Sequence, residues 1–446
     1  MILTVAAVFL LADVRASLAR GSGVIELPAG ETHLDRPLEI PRGSKHLTIR
    51  GNAAGSLLVL DAGFKGSAAI VADGATDVNF IGFGIRGNRT ELKSDWYFPL
   101  KEAAFADFYT DNGIVVRNSR QVTVRRVHFS RIRAFPLLVN ASSNVLIDGV
   151  TIEDSGTLNR AGRNNSTGGI LLEEGVRGFE VRQSSIARIT GNAIWTHSYA
   201  RSPRASGGAI RGNTITTVGR DAIQVGHATR VRVEDNSGSE LGFPAEFVDV
   251  ENHGVAVALD TAGNVDHAVY ANNRFTDVNG QCIDLDGFHD GEVTGNSCIN
   301  MKPLDAYPAS HYGIVFGNND PGMDSTGVSV TNNTLRGFAY GAVFLIGSHN
   351  RVENNGFLDM NRAHCGATPV SARCNYALDQ PDLLRSGIYL SGNGGRATAT
   401  KDNTIRGNVV EGFGMGKHCV AAAPGLRVAD NAVAGNTCLE QGRARP

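Results

Sequence analysis

The chain has 446 residues, a formal net charge of −2, 19% charged residues and 42% hydrophobic ones. That balance leaves no basic footprint for nucleic acid, and no Pro/Ser-rich, charged or low-complexity run marks a linker. Glycine is in excess at 54 residues, where an ordinary usage of about 7% would give about 31.

The N-terminus, MILTVAAVFLLADVRASLARG, has an apolar run from Ile2 to Ala12 followed by small residues, with a cleavage site at Ser17-Leu18-Ala19. Residues 1–19 read as a signal peptide, though without the usual basic residues ahead of the run. The alternative is an apolar segment that caps the end of the fold. Residues 20–446 read as one domain. No later segment approaches the ~18 apolar residues of a membrane span. The expectation is a secreted or periplasmic protein with neither a membrane nor a nucleic acid as partner.

Next in the chain comes a long early insertion with Trp96, Tyr97 and Phe98, readable as core packing or as a lid, and KEAAFADFY, the best short helix candidate. From there short alternating segments dominate: NGIVV, GGILLEE, NAIWTHS, DAIQVGH, HGVAVALD, QCIDLDG, YGIVFGN, YGAVFLIG and SGIYLSGN. Alternation buries one face of each strand and exposes the other. Between them an asparagine recurs at Asn213, Asn236, Asn273, Asn296, Asn333, Asn355, Asn408 and Asn431, with successive differences of 23, 37, 23, 37, 22, 53 and 23. The unit is 22–23 residues, with insertions in three of the intervals.

A strand-and-turn unit this short cannot close a core alone, so units must stack coil on coil. The expected fold is all-β: a single right-handed parallel β-helix. The asparagine is expected to take the left-handed backbone of a corner and to bond its counterpart in the next coil. The six cysteines, Cys282, Cys298, Cys365, Cys374, Cys419 and Cys438, fall in three local pairs. They suggest disulfides 282–298, 365–374 and 419–438 among the fifteen pairings that six allow; no CxxC spacing points to zinc.

With these repeats and the opening GVIELPAGETHLDRPLEIPRGSKHLTIRGN, the chain resembles the right-handed parallel β-helix superfamily of pectate lyases, polygalacturonases and alginate epimerases. The resemblance spans about residues 21–440. It implies the fold, while function must be argued from a site.

Alternation places the outward residues in pairs: Leu171/Glu173, Trp195/His197, Gln224/Gly226, Ala256/Ala258, Asp284/Asp286, Val315/Gly317, Phe344/Ile346 and Tyr389/Ser391. On this reading Ala256, Ala258, Gly226 and Gly317 make a floor around the diacid rung of an open groove suited to a linear glycan. Trp195, His197, Gln224, His227, His253 and His311 are candidate substrate-binding residues, with turn capping as the alternative for His227 and His253. Glu173, Glu174, Arg125 and Arg126 read as solvated.

The candidate catalytic set is Asp284, Asp286, His289 and Asp290, from QCIDLDGFHDGEVTGNSC. Two like charges on one strand face raise one carboxyl pKa, which suits a general acid beside a base. The two backbones stand ~6.6 Å apart along a strand, near the carboxyl separation for inverting hydrolysis, ~6.5–9.5 Å. The polygalacturonase pattern of NTD, DD, GHG and RIK meets ENHG, NGQC and HYGI here, with no RIK. No catalytic residue is therefore carried over, and only His311 lies near the GHG position. DGFHD is similar to the epimerase D-P-H-D but one residue longer and without the proline.

The leading expectation is a glycoside hydrolase that needs no cofactor and no metal. The alternatives are a lyase or C5-epimerase acting on uronates, and a non-enzymatic glycan-binding surface protein. Ca²⁺ is the ion the acids could hold through oxygen ligands. The partner is a polysaccharide, and the chain acts as a monomer or a trimer.

Overall fold

A computed structural model of the chain describes residues 11–98, 103–199, 201–249, 256–317, 322–375, 380–392 and 399–441. Two compact units emerge, Met1–Arg220 with Pro244–Glu251, and Asp221–Phe243 with Asn252–Pro446. Each is a stack of parallel β-coils.

In the first unit one coil is built from the strands Leu137–Asn140, Ser143–Asp148 and Thr151–Ser155. Single left-handed residues turn its corners, Ala141 at φ 46° and Gly149 at φ 62°. Gly149 accepts that backbone without the Cβ clash that other residues meet. Equivalent residues stack in register: Leu137 beside Ile170 and Ile170 beside Ile194 on one sheet, Val145 beside Phe179 on the next, Ile152 beside Ile186 on the third. All of these except Val145 and Phe179 are wholly buried, and those two nearly so. Of the apolar N-terminal run, residues 1–10 lie outside the described residues. Residues 11–18 are helical, with Val14 and Leu18 buried and Arg15 donating to the Pro37 carbonyl at 2.7 Å.

The second unit is held by an asparagine ladder. Asn236, Asn273, Asn296, Asn333, Asn355, Asn408 and Asn436 stack so that the backbone N–H and side-chain N–H of each donate to Oδ1 of the next, at 2.8–3.0 Å. Every polar hydrogen turned inward thus finds an acceptor, as burial requires. Two expectations are corrected here. The left-handed corner falls on the residue before each asparagine, Asp235, Asn272, Gly295, Asn332, Asn354, Gly407 and Gly435, with φ between 55° and 66°. The corner turns the chain, and the following asparagine can then point into the stack. Asn431 belongs to a second ladder with Asn350 and Asn403. VADN and VAGN both fit the pattern, five residues apart, and Asn436 of the latter continues the first ladder.

The three disulfides join the expected pairs, 282–298, 365–374 and 419–438. Among the described residues no helix is long and apolar enough to cross a membrane.

Candidate functional site

In the second unit the strands Ile223–Glu234, Ala256–Asp266, Gly280–Asp286, Ile314–Gly317, Val343–Leu345 and Ile388–Leu390 lie side by side in one sheet. Their register fixes which side chains share the outward face. Gln224 pairs with Asp260, and Leu259 with Ile283, which sets Asp260 beside Asp284. Asp284 then pairs with Val315, Asp286 with Gly317, Val315 with Phe344, and Phe344 with Tyr389. Adjacent rungs are ~4.8 Å apart.

This corrects the expected floor. The inward and outward parity of HGVAVALD holds, but the strand sits four residues further along than the short pattern suggests. Asp260, not Ala256, stands beside Asp284, and Ala256 pairs with Gly280. The run is uniformly small and apolar up to Leu259, so alternation alone cannot set its register. Matching its last large residue, Leu259, to Ile283 would have found Asp260.

The outward face thus gathers acids. Asp260, Asp221 and Gln224 are buried. The Gln224 amide donates to Asp260 Oδ2 and, at 3.4 Å, to Asp221 Oδ2. Asp221 Oδ1 accepts the Val257 N–H at 3.1 Å. Asp284 and Asp286 keep part of their surface open. Asp284 Oδ1, however, is enclosed and has no hydrogen-bond partner. Burial first, then the charges of Asp286 and Asp221, push the Asp284 carboxyl up to about 8, against the pull of the Asp286 and Leu285 backbone N–H groups. A carboxylic acid held neutral at pH 7 can give a proton away, and neighbouring acids are what keep it neutral.

His289 and Asp290 follow the left-handed Gly287. His289 shares hydrogen bonds with Asp290 at 3.0 Å and Asn264 at 3.3 Å and pairs in register with Asp266. Those two predicted catalytic residues are thus bonded to each other beyond the corner, His289 on a different short strand, Phe288–His289, and Asp290 as the left-handed residue that follows it. His227, with φ 44°, sits in the register irregularity between Gly226 and Ala228. His253 lies outside the described residues. His311 precedes the Ile314–Gly317 strand, its ring 5.3 Å from that of Tyr340, and burial pushes its pKa down to about 4. Gln224 joins the acids directly, as described above.

Trp195 and His197 belong to the first unit, and the expected exposed tryptophan is corrected. The short helix Phe105–Phe108 covers that strand face, and Trp195 is only 7% exposed, with the Phe105 ring edge-on at 5.3 Å. The insertion is apolar where it meets Leu138, Leu171 and Trp195, so covering them removes hydrocarbon from water. Glu173 is not solvated either. It is wholly buried and accepts Phe105 N–H at 2.9 Å, Ala106 N–H at 2.8 Å and Asn140 Nδ2 at 3.0 Å. Burial raises its carboxyl to about 7. Among the described residues, Glu173, Glu174 and His197 bring three ligand-type atoms within 4.8 Å of one another. Both Glu173 oxygens are already engaged, so this grouping is a poor cradle for an ion.

The sequence matches a family described as "Right handed beta helix region" over residues 68–242 and 253–439. No curated protein matches it by sequence. Among solved structures, it is similar to PfbA, a surface adhesin of Streptococcus pneumoniae, at 16% identity and a TM-score of 0.60, covering 78% of this chain and 86% of that one. It is also similar to DFA-IIIase from Arthrobacter chlorophenolicus A6 in complex with GF2, at 16% identity and a TM-score of 0.54, covering 78% and 89%. At such identities the likeness carries the fold.

Proposed function

The chain belongs to the right-handed β-helix family, and from that premise we propose that it is an extracellular carbohydrate-active enzyme, a glycoside hydrolase working at the Asp284–Asp286 rung. The observation that carries this reading is the company Asp284 keeps: an enclosed oxygen without a hydrogen-bond partner, beside three other carboxylates in register or in reach. A fold gains no stability from such crowding. That a DFA-IIIase and a surface adhesin both appear among the similar folds leaves the choice to this site.

In the proposed step, Asp284 gives its proton to the glycosidic oxygen as the bond from that oxygen to the anomeric carbon breaks. Asp286, partly open to solvent, takes a proton from water, whose oxygen bonds to the anomeric carbon. The backbone separation of ~6.6 Å along the strand suits that division of labour. Asp221, held by the Val257 N–H and by Gln224, keeps the proton on Asp284, and Gln224 also fixes Asp260. No cofactor enters this step. Ca²⁺ held by the same acids would compete with protonation of Asp284, so added Ca²⁺ is expected to leave turnover unchanged or lower it. Three disulfides agree with an oxidising compartment.

The test is mass spectrometry of products from a panel of plant, algal and bacterial polysaccharides, with the wild type and Asp284→Asn side by side. Products that gain water and vanish in the variant are expected. Unsaturated ends or inverted sugars would replace hydrolysis with elimination or epimerisation. Binding without any product would leave a glycan-binding protein.

A further inference from the structure

We infer that the acid rung receives the end of a glycan chain and not its interior, because the outward face of the second unit is open at that rung and closed on both sides of it. The inference rests on the hydrolase reading above. On one side, Gln224 and Asp260, the two preceding rungs, are 6% and 8% exposed. On the other, Tyr389 is wholly buried, and Ile346 and Ser391, which continue the Asp286–Gly317 column, are 4% and 7% exposed. Among the described residues of these columns, Asp284, Asp286, Val315, Gly317 and Phe344 keep surface between them, and part-exposed Ala262, on the Asp260 rung, is the near edge of the opening. Those three rungs span ~10 Å of sheet, room for a terminal residue and little more.

The closure on the far side is a built wall. Val315 and Phe344 pack against a cluster of Tyr312, Tyr340, Ala363, Leu384 and the disulfide pair Cys365 and Cys374. The Phe344 ring lies 6.1 Å from that of Tyr312 and 6.3 Å from that of Tyr389. Two insertions are strapped together above them. Tyr340 Oη donates to the Arg373 carbonyl at 2.9 Å, and the Arg373 guanidinium donates to the Tyr307 and Leu304 carbonyls at 3.1 and 3.3 Å. Arg362 donates to the Lys302 carbonyl at 3.0 Å. A disulfide across a short loop stiffens such a cap. A polymer threading past Asp284 would have to displace it. A chain end, stacking its ring face on the part-exposed Phe344, would not. Phe344 is thereby a specificity-determining residue.

The experiment uses the full chain and oligosaccharide ladders of inulin, polygalacturonate and xylan, the last two labelled at the reducing end, with product sizes read at the first turnover. The expected result is cleavage at one fixed distance from one end, whatever the length of the oligosaccharide. Phe344→Ala should add internal cuts. Tyr340→Phe, which removes the hydroxyl that bonds the Arg373 carbonyl, should do so more weakly, with thermal melting confirming that both variants fold. A spread of internal cuts by the wild type overturns end recognition and leaves the hydrolase standing. An end-only pattern in folded Phe344→Ala overturns the assignment of the wall. Absence of products from all three ladders removes the hydrolase reading and this inference with it.

Discussion

Each unit puts an acid on the same kind of outward strand face, Glu173 wholly buried and Asp284 part-open, and the two are treated in opposite ways. Glu173 is covered by an insertion whose backbone N–H groups reach both of its oxygens. Asp284 is crowded by other acids and keeps an oxygen without a partner. Both carboxyls are raised, to about 7 and about 8, so the shift by itself does not separate them. The hydrogen-bond inventory does. A buried acid whose acceptors are filled is part of the packing, and one left unfilled beside like charges is available for chemistry.

The comparison breaks most sharply on turnover. Asp284→Asn should lower it by about 10²–10⁴-fold, the usual contribution of a general acid. Glu173→Gln, which keeps two oxygen and nitrogen positions but no charge, should leave turnover per folded molecule near the wild-type value. Equal losses in both variants would erase the distinction.

Stability should show the reverse order. Trp195→Ala, cutting a large side chain from under Phe105, should cost about 3–5 kcal/mol in urea unfolding and leave KM unmoved. A large rise in KM with little loss of stability would restore Trp195 to a sugar subsite. Glu173→Ala strands the Phe105 and Ala106 N–H groups and should cost about 2–3 kcal/mol.

The smallest and most diagnostic effect is on pH. Burial and the Asp286 and Asp221 charges push the folded Asp284 carboxyl up to about 8, well above its unfolded value of about 3.9. The folded state therefore holds a proton that the unfolded chain has lost, and this group's contribution to stability declines as pH rises from about 4 to 8. Asp284→Asn should flatten that decline, measured as unfolding free energy at pH 5 and pH 8.5. His311, pushed down to about 4, works the other way. Its buried neutral ring favours the fold above about pH 6.5, and that contribution is lost as pH falls toward 4. His311→Phe should soften the acid limb alone.

Much of this protein was legible in its residues. Coil length, strand parity, disulfide pairing and the Asp284–Asp286 rung all follow from local pattern, because a repeat writes its period directly into the chain and alternation is a two-valued choice. Asp260 is legible only by matching Leu259 to Ile283, since the small apolar run before it leaves the register open, and Asp221 joins the site through a contact with Val257 in the next coil that no local pattern shows. The burial of Trp195 and Glu173 was not legible either. It depends on the short helix Phe105–Phe108, about 65–90 residues earlier in the chain, folding back over them. Local residue pattern sets the ladder of strands and the side each residue faces. Which rungs are adjacent and which are covered comes from packing between coils and insertions. That packing depends on contacts between distant segments, whose free energy no local pattern records.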